Sequence, residues 1–447
     1  MIALSRRGFG ALMGALGLRA LAARGALRTP YGGALRLPLP APRSVLDPMR
    51  ATELADAWPL ALTHAGLVTA HPDGGVSFPL LEAPPRREGA AFVLRLREGI
   101  TASNNAPVDA AAVARCWAAA RSSPHGRLAL ALLAAMNPIE ARGARELVVR
   151  AGSDEALHEF LAAPALAVTV PQGGGRAGIG AFTATPDAPN TLQRSATCPT
   201  GGAYLERVEL SPAAARNDEL RAFTTGALDA SWWGAGLYSV QREATHLTGA
   251  PAAAVGLAPT PGGPFASAAV ARALEVALAP LSAADAPLRA LPVAPARPAN
   301  ASALGAAVAS RGGPLRLGRA PGDALLHALA ERAVALLDAV RVTAMIVSPD
   351  DAPDLTLRAV APMGRDPWLA LASLLAASAA VGGDEAGASA IARTPRAGRG
   401  PVAQGVWSRS VIAVLGRLTP SLHLRAELHG ARFDGAQLAL GDAWMRA

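Results

Sequence analysis

Apolar and polar residues alternate along many short segments of the chain, which predicts a protein rich in strands. In residues 32–40, leucine occupies every second position from Leu35 to Leu39, and residues 92–97 repeat the alternation around Phe92 and Leu94. A period of two is typical of a half-buried strand. Further strands are predicted at residues 146–150, 166–170, 191–197, 203–212, 314–322, 340–348, 354–360, 410–415, 422–428 and 437–445.

Apolar residues spaced three and four apart predict helices between these strands. Asp109 stands where a side chain caps a helix, and Val113 and Trp117 follow at helical spacing. Just before it, Asn104 and Asn105 predict a turn, because asparagine tolerates a positive φ better than other non-glycine residues. Further helices are predicted around residues 58–65 and at residues 156–163, 217–233 (running into a strand), 267–281, 324–339 and 368–380.

The order of these elements defines a mixed α/β class. Strands and helices follow one another without a simple β–α–β period, and no repeat of solenoid length is present in the sequence. A chain of 447 residues, of which 51% are hydrophobic, is long and apolar enough for two or three domains with substantial cores.

The net charge of +8 comes from arginine alone, because the sequence contains no lysine. The arginines are scattered and form no run or arm, so the charge does not predict nucleic-acid binding. The two cysteines, Cys116 and Cys198, are too few for a metal cluster. Pairing in an oxidising compartment and two buried free thiols both fit the sequence, and free thiols are slightly favoured.

The amino terminus has the features of an export signal. Residues 5–9 read Ser-Arg-Arg-Gly-Phe, a short apolar segment follows, and small residues lie near residues 22–26. The paired arginines before Gly-Phe resemble the twin-arginine type of signal. We therefore expect residues 1–28 to direct export to the periplasm. A lipid anchor is not expected, because neither cysteine lies near the cleavage region.

Motifs for catalysis, nucleotides and metals are missing or lack their context. Residues 173–178 (GGGRAG) fit the pattern GxGxxG, but the segment that follows is rich in turn residues and does not predict the helix that a dinucleotide site requires. No GxSxG, SxxK or HExxH motif occurs, and His423 and His429 lack helical ligand spacing. We therefore expect no enzyme activity, no cofactor and no metal site.

Tryptophan marks the most distinctive segments of this aromatic-poor chain. Ser231-Trp232-Trp233 and Arg365-Asp366-Pro367-Trp368 each offer a large apolar face with a single donor, which suits a ligand pocket. Packing in the core explains the same residues and is the more frequent role of a tryptophan.

A series of segments, in order along nearly the full length, resembles the extracellular solute-binding proteins of family 5, the dipeptide, oligopeptide and nickel-type components of ABC importers. The most characteristic piece is FVLRLREGITASNNAPVDAAAV, which is similar to the family's F-x-L-R-x-G-V-x-F-x-D-G-x-P-L-T-A-x-D-V. The other matching pieces are SVLDP, HAGLVTAHPDGGVSFPLLEAP, GIGAF, AYLERVEL, LRAFTTGALDASW, LRLGRAPGDALLHALAERAVALLDAVRVTAMIV and DLTLRAVAPMGRDPWLALASLL.

The resemblance implies a two-lobed, Venus-flytrap fold of the periplasmic binding proteins, type II or cluster C-like, with an extra subdomain in lobe I. It places lobe I at residues 29–60, 166–255 and 400–447, the extra subdomain at residues 61–165, and lobe II at residues 256–399. It also implies a monomer that binds a peptide or other small molecule between the lobes and delivers it to the membrane permease subunits of an ABC transporter.

The resemblance further implies where a ligand would lie. Members that grip a peptide amino terminus carry a tryptophan and an aspartate just before the Asp-Pro element, where this chain reads AVAPMGR, so the usual dipeptide recognition is not expected here. The residues predicted to face the ligand are Trp232, Trp233, Met363, Asp366 and Trp368, with the turn of Gly178, Gly180 and Phe182 near the hinge.

The same departure, together with loops shorter than is usual in the family, leaves a second interpretation open. In it the fold is kept as a periplasmic scaffold, chaperone or sensor partner that carries out no transport.

Overall fold

The computed structural model describes residues 31–40, 47–71, 73–122, 127–172, 175–185, 187–233, 244–251, 253–282, 288–291, 301–319, 324–434 and 437–445. The predicted export signal at residues 1–28 lies outside these ranges. Within them, no helix combines the length and the apolar character needed to span a membrane.

Helices and strands alternate irregularly, as the mixed α/β class predicts. The helices are α1 (Leu54–Thr63), α2 (Ala110–Ser122), α3 (Arg127–Ala135), α4 (Asp154–Leu161), α5 (Arg216–Thr224), α6 (Ala268–Ala277), α7 (Ala301–Arg311), α8 (Ala324–Ala339), α9 (Pro367–Ala377), α10 (Glu385–Arg393) and α11 (Arg396–Arg409). The strands are β1 (Ala34–Pro38), β2 (Thr69–Ala70), β3 (Val76–Ser77), β4 (Arg86–Glu88), β5 (Ala91–Arg95), β6 (Ile139–Arg142), β7 (Glu146–Arg150), β8 (Val170–Gln172), β9 (Gly175–Ala177), β10 (Phe182–Thr185), β11 (Ala188–Arg194), β12 (Arg207–Ser211), β13 (Ala230–Ser231), β14 (Ala244–Thr248), β15 (Ala253–Pro259), β16 (Leu288–Arg289), β17 (Leu315–Gly318), β18 (Ala344–Val347), β19 (Leu355–Val360), β20 (Ala413–Leu418), β21 (Ser421–Arg425), β22 (Leu428–His429), β23 (Arg432–Asp434), β24 (Gln437–Ala439) and β25 (Trp444–Met445).

Three larger sheets organise these strands. The first has the order β1-β12-β11-β10, with β1 parallel to β12 and the other pairs antiparallel. The second, β4-β5-β7-β6, is wholly antiparallel and lies in the predicted extra subdomain. The third has six strands in the order β16-β20-β15-β19-β17-β18 and is mixed. Strand β20, which was predicted in lobe I, lies in this third sheet beside lobe II strands; the lobe boundaries themselves stay a prediction.

Strand β15 runs through the middle of the six-stranded sheet, and all seven of its residues are buried. Val255 and Leu257 belong to one buried cluster, whereas Ala254 and Ala258 belong to the other. Successive side chains of a strand point to opposite faces, so this sheet separates the two cores. A strand buried on both faces shows no alternation of apolar and polar residues, which is why the sequence pattern does not predict β15.

Each core combines parts of the chain that are distant in sequence. The cluster on one face joins the subdomain helices to the helices after β19, through residues such as Trp117, Leu132, Leu371 and Ile391. The cluster on the other face joins the first sheet and α1 to α6 and α8. Both cores therefore draw residues from both predicted lobes.

Local predictions in the subdomain are confirmed. The Oδ1 atom of Asp109 accepts a hydrogen bond from the backbone N–H of Ala112 at 2.6 Å, so it caps α2. Asn105 has a φ of 60°, and the side-chain oxygen of Asn104 accepts a hydrogen bond from the N–H of Ala106 at 3.1 Å. The asparagine pair therefore turns the chain as predicted.

The strand predicted at residues 166–170 is wrong. Residues Pro164–Leu166 form a 3-10 turn, and β8 begins only at Val170. The turn brings the carbonyl oxygen of Leu166 to the indole N–H of Trp117, which donates to it at 3.2 Å. Leu166, Val168 and Val170 of this apolar run are buried, but residues 167–169 are not strand.

The sequence pattern also does not predict α7, α10 and α11. Helix α11 carries Pro401 in its interior and glycines at residues 398, 400 and 405, which local propensity disfavours. It forms because Ala403, Val406 and Trp407 are buried in the core. Packing therefore overrides propensity in this part of the chain.

The glycine-rich segment does not open a helix. Gly175 lies opposite Gln172 in an antiparallel hairpin, and Gly175–Ala177 is strand. Cys116 and Cys198 are both free thiols; Cys116 is buried as expected, whereas Cys198 is only partly buried.

Candidate ligand-binding site

A cavity of about 480 Å³ lies where five separate parts of the chain meet. Its wall comes from α4, the turn between β19 and α9, the segments β2–β3 and β23–β24, and Arg396 of α11. This volume is within the range of small-molecule sites, about 300–1,000 Å³. The lining residues are Ala70, Gly74, Val76, Glu155, His158, Glu159, Ala162, Ala163, Pro164, Pro362, Gly364, Arg365, Asp366, Arg396, Asp434 and Gln437.

Helix α4 presents its polar side to the cavity because its apolar side is buried. Ser153 caps the helix by accepting a hydrogen bond from the N–H of Ala156 at 3.1 Å, and Leu157 and Phe160 are buried. Residues three and four apart share a face of a helix, so the residues Glu155, His158 and Glu159 fall together on the cavity side.

A buried cation ties two walls of the cavity together. The side chain of Arg399 is 0% exposed, and its Nη1 lies 2.6 Å from Oδ2 of Asp366 and 3.2 Å from Oε2 of Glu159. Asp366 also caps α9 by accepting a hydrogen bond from the N–H of Trp368 at 2.9 Å. Burial raises the pKa of Glu159, and the neighbouring Arg399 opposes that rise.

The other acidic groups of the wall are also paired within the chain. Glu155 forms an ion pair with Arg396. Asp434 lies 3.1 Å from Nε of Arg432 and 3.5 Å from Nδ1 of His71. Every carboxylate that lines the cavity therefore has a basic partner.

Arg365 is different from these groups. Its Nε and Nη2 atoms are shielded from solvent, and neither has a hydrogen-bond acceptor in the described part of the chain. A buried polar donor without a partner costs about 1–3 kcal/mol, and more when it is charged. Two guanidinium nitrogens of this partly buried, cavity-lining residue are therefore left without an acceptor.

A second cavity, of about 420 Å³, adjoins the first. Both are lined by Ala162, Ala163, Pro164, Asp434 and Gln437. The two cavities therefore share a wall.

The second cavity is also lined by His64. The Nδ1 atom of His64 lies 2.8 Å from the hydroxyl of Thr63, and its buried Nε2 has no partner among the described residues. Burial lowers the pKa of His64 to about 4, so this imidazole is neutral near neutral pH.

The predicted ligand-facing residues separate into two groups. Met363 and Trp232 are buried in the two cores, and Trp233 is buried with an indole N–H that lacks an acceptor among the described residues. Trp232 stacks on Trp58 with ring centroids 4.0 Å apart, and its indole N–H donates to the carbonyl oxygen of Pro38 at 2.6 Å. Burial favours a packing role for Met363 and Trp232, and a binding role for all three residues stays a prediction.

The remaining predicted residues lie at or near the cavities. Asp366 lines the first cavity, and Gly180 and Phe182 line the second. A side chain at Gly178 would come within 2.1 Å of the backbone oxygen of Thr63, so this glycine allows the chain to pass the end of α1. Trp368 is half-buried against the first core. Contact of these residues with a ligand stays a prediction.

The sequence-based selection missed Arg365, Glu159 and Arg399. Arg365 stands between two selected positions, Met363 and Asp366, and a single arginine there carries no signal by itself. Two features of the folded chain together distinguish it: it lines the first cavity, and two of its guanidinium nitrogens lack an acceptor.

No protein-family model and no curated protein matches the sequence. Solved structures do match, and they define the class of fold: two-lobed binding proteins of mixed α/β content. The murein tripeptide binding protein MppA of Escherichia coli aligns with a TM-score of 0.73 at 13% identity, covering 94% of this chain and 99% of that one. NikA from Staphylococcus aureus, in complex with Ni(L-His)2, aligns with a TM-score of 0.71 at 12% identity over 92% of this chain and 100% of that one.

A third neighbour carries a different ligand. AgaA from A. tumefaciens, in complex with agropinic acid, aligns with a TM-score of 0.68 at 15% identity, covering 93% of this chain and 99% of that one. At these identities the likeness concerns the fold. It confirms the predicted two-lobed fold of the periplasmic binding proteins.

Proposed function

We propose that the protein is the substrate-binding component of a peptide-type ABC importer, which holds a small molecule or peptide and performs no covalent chemistry on it. The observation that carries the proposal is the cavity of about 480 Å³, which is lined by Arg365, a residue with two guanidinium nitrogens that lack an acceptor among the described residues. An unsatisfied donor in the wall of a cavity of ligand size indicates that the missing acceptor comes from outside the chain.

The fold supports the same proposal. The neighbours that align over 92–94% of this chain include proteins solved with a nickel–histidine complex and with agropinic acid. Two-lobed proteins of this kind can close on a ligand by a hinge motion, driven by contacts that the ligand makes with both sides. We propose export by the twin-arginine signal at residues 1–28, a monomer without a lipid anchor in the periplasm, and membrane permease subunits as the partner of the ligand-bound form.

A ligand screen tests this proposal. The purified protein is heated with amino acids, di- and tripeptides, opines and metal–histidine complexes, and its melting temperature is recorded at several concentrations. A ligand that binds the folded state raises the melting temperature with its concentration. We expect one chemical class to do so, to reduce the radius of gyration in solution scattering, and to be recovered unchanged by mass spectrometry.

Native mass spectrometry of freshly purified protein complements the screen, because a retained small molecule would be seen directly. If no compound in the screen binds and no molecule is retained, the binding function is rejected. If a chemically altered product is released, the proposal that the protein performs no covalent chemistry on its ligand is rejected.

One observation favours a second candidate, a scaffold that does not open and close. The core cluster that contains Leu132 of α3 also contains Ile391 of α10, and Arg127 at the start of α3 forms an ion pair with Glu385 at 2.6 Å. Shared burial of this kind resists separation of the subdomain from the helices after β19. Scattering distinguishes the two candidates, since a scaffold keeps one radius of gyration with every ligand.

A further inference from the structure

We infer that the ligand carries a carboxylate and that Arg365 is the residue that binds it. The inference rests on the proposed binding function and specifies the chemistry of the same site. It follows from the pairing of charges around the first cavity, taken one group at a time.

The acidic residues of the wall cannot be the partners of Arg365. Asp366 lies next to Arg365 in sequence, yet its Oδ2 pairs with Arg399 at 2.6 Å and its Oδ1 accepts from the N–H of Trp368. Glu159 pairs with Arg399 as well, at 3.2 Å, and Glu155 pairs with Arg396. The acceptor for Arg365 is therefore absent from the described wall.

The chemistry of guanidinium defines what would fit. Its planar fork of donors matches a carboxylate, which can accept two parallel hydrogen bonds. Arginine has several rotatable side-chain bonds, so a small rotation can turn the shielded nitrogens toward an oxygen that enters the cavity. Val76, Ala163 and Pro362 add apolar surface to the wall, which suits a carboxylate attached to an apolar body.

The surrounding acidic groups favour a monoanion over a dianion. Glu155, Glu159, Asp366 and Asp434 all line the cavity, and each would repel a second negative charge on the ligand. A phosphate ester carries nearly two charges at neutral pH. A monocarboxylate satisfies Arg365 with the least repulsion from these neighbours.

The test compares each acid with its uncharged amide. Ala-Leu and leucine are measured by calorimetry beside Ala-Leu amide and leucinamide, and N-acetyl-leucine beside its amide, with O-phosphoserine as the dianionic probe. A hydrogen bond to a charged group contributes about 1.5–3 kcal/mol, so we expect the acids to bind roughly 10–100-fold more tightly than the amides. Phosphoserine should bind more weakly than the best monocarboxylate.

Two variants assign the effect to one residue. In R365Q the preference for acid over amide should fall to about 1-fold, because glutamine lacks the two parallel donors of the guanidinium group. R332Q is the matched control, because Arg332 is exposed and lies outside the lining of the cavity. R332Q should keep the preference of the unaltered protein.

The outcomes separate the two proposals. If acids and amides bind equally well, or if R365Q keeps the preference, the carboxylate inference is overturned while the binding function stands. Tighter binding of phosphoserine than of any monocarboxylate also overturns it. If no compound with or without a carboxylate binds, and none is retained in native mass spectrometry, both proposals fail together.

Discussion

Trp232 and Arg365 illustrate two kinds of residue that look alike in the sequence. Both lie in short tryptophan-containing segments, but Trp232 is buried whereas Arg365 is only partly buried. Trp232 is 5% exposed, stacks on Trp58, donates its indole hydrogen to the carbonyl oxygen of Pro38 and donates its backbone N–H to Oε1 of Glu219. Arg365 has two shielded nitrogens with no acceptor.

The difference shows which property separates a structural residue from a candidate binding residue. The size and residue type of Trp232 favoured it as a predicted ligand-facing residue, because large aromatic groups are frequent in ligand pockets. Its hydrogen bonds and packing are complete within the chain, however, so a ligand has nothing left to satisfy. Arg365 is the reverse case, because its pairing is incomplete and an outside group can complete it.

The largest effect expected from this comparison is the loss of Trp232. Trp232→Ala removes the ring that stacks on Trp58 and leaves a cavity in the core, which costs about 3–5 kcal/mol in the free energy of unfolding. Chemical denaturation measures the change. Tyr31→Ala, at a side chain that is 65% exposed, serves as control and should cost less than about 1 kcal/mol. A loss of similar size in both variants would contradict the packing role of Trp232.

The next effect concerns a paired charge in the same cavity wall. Asp366→Asn removes the closest partner of Arg399, whose side chain is fully buried. Breaking a buried ion pair costs about 3–5 kcal/mol, and we expect about 3 kcal/mol because Glu159 remains near Arg399. Asp350→Asn, at an exposed residue, should change the unfolding midpoint little. An unchanged stability of Asp366→Asn would show that the pair with Arg399 is not structural.

Glu275 adds a third kind of residue to the comparison: a buried carboxylate that has ionic and hydrogen-bond partners. Burial raises its pKa from 4.5 to about 7, against the opposing effects of Arg272 and of hydrogen bonds from Val414 and Trp407. The folded state therefore holds a proton that the unfolded state releases between about pH 4.5 and pH 7. Stability should fall as the pH rises through this window.

Glu275→Gln tests this assignment because glutamine does not ionise. Between pH 5 and pH 8 the unaltered protein should lose roughly 2–3 kcal/mol more stability than Glu275→Gln, as judged by urea unfolding at each pH. Glu331→Gln, at a side chain that is 58% exposed, should keep the pH dependence of the unaltered protein. Parallel pH profiles for the unaltered protein and Glu275→Gln would disprove the raised pKa.

The smallest effect on stability is expected at Arg365 itself. Arg365→Gln removes two guanidinium nitrogens, Nε and Nη2, that have no hydrogen-bond partner among the described residues. The free energy of unfolding should therefore change by less than about 1 kcal/mol, and we expect an increase rather than a decrease. Thermal unfolding without ligand measures this. A loss of stability comparable to that of Asp366→Asn would mean that Arg365, like Asp366, has a structural partner within the chain.

Local patterns determined many of the elements and the fold resemblance. The alternation around Phe92, the asparagine turn ending in Asn105 and the cap at Asp109 all involve residues a few positions apart. Their conformations depend on side chains and backbone groups within reach of one another along the chain. Such features can be recognised in a sequence because the interactions that create them are contained in it.

Tertiary structure alone decided the rest. Strand β15 is buried on both faces, and α11 forms around Pro401 because its apolar residues meet a core. The pair of Arg399 with Glu159 joins residues 240 positions apart. Whether a charge such as Arg365 is paired depends on which distant groups the fold brings within about 4 Å, and no local pattern contains that information. The sequence determined the kind of fold, whereas the folded chain decided which residues remain open to a ligand.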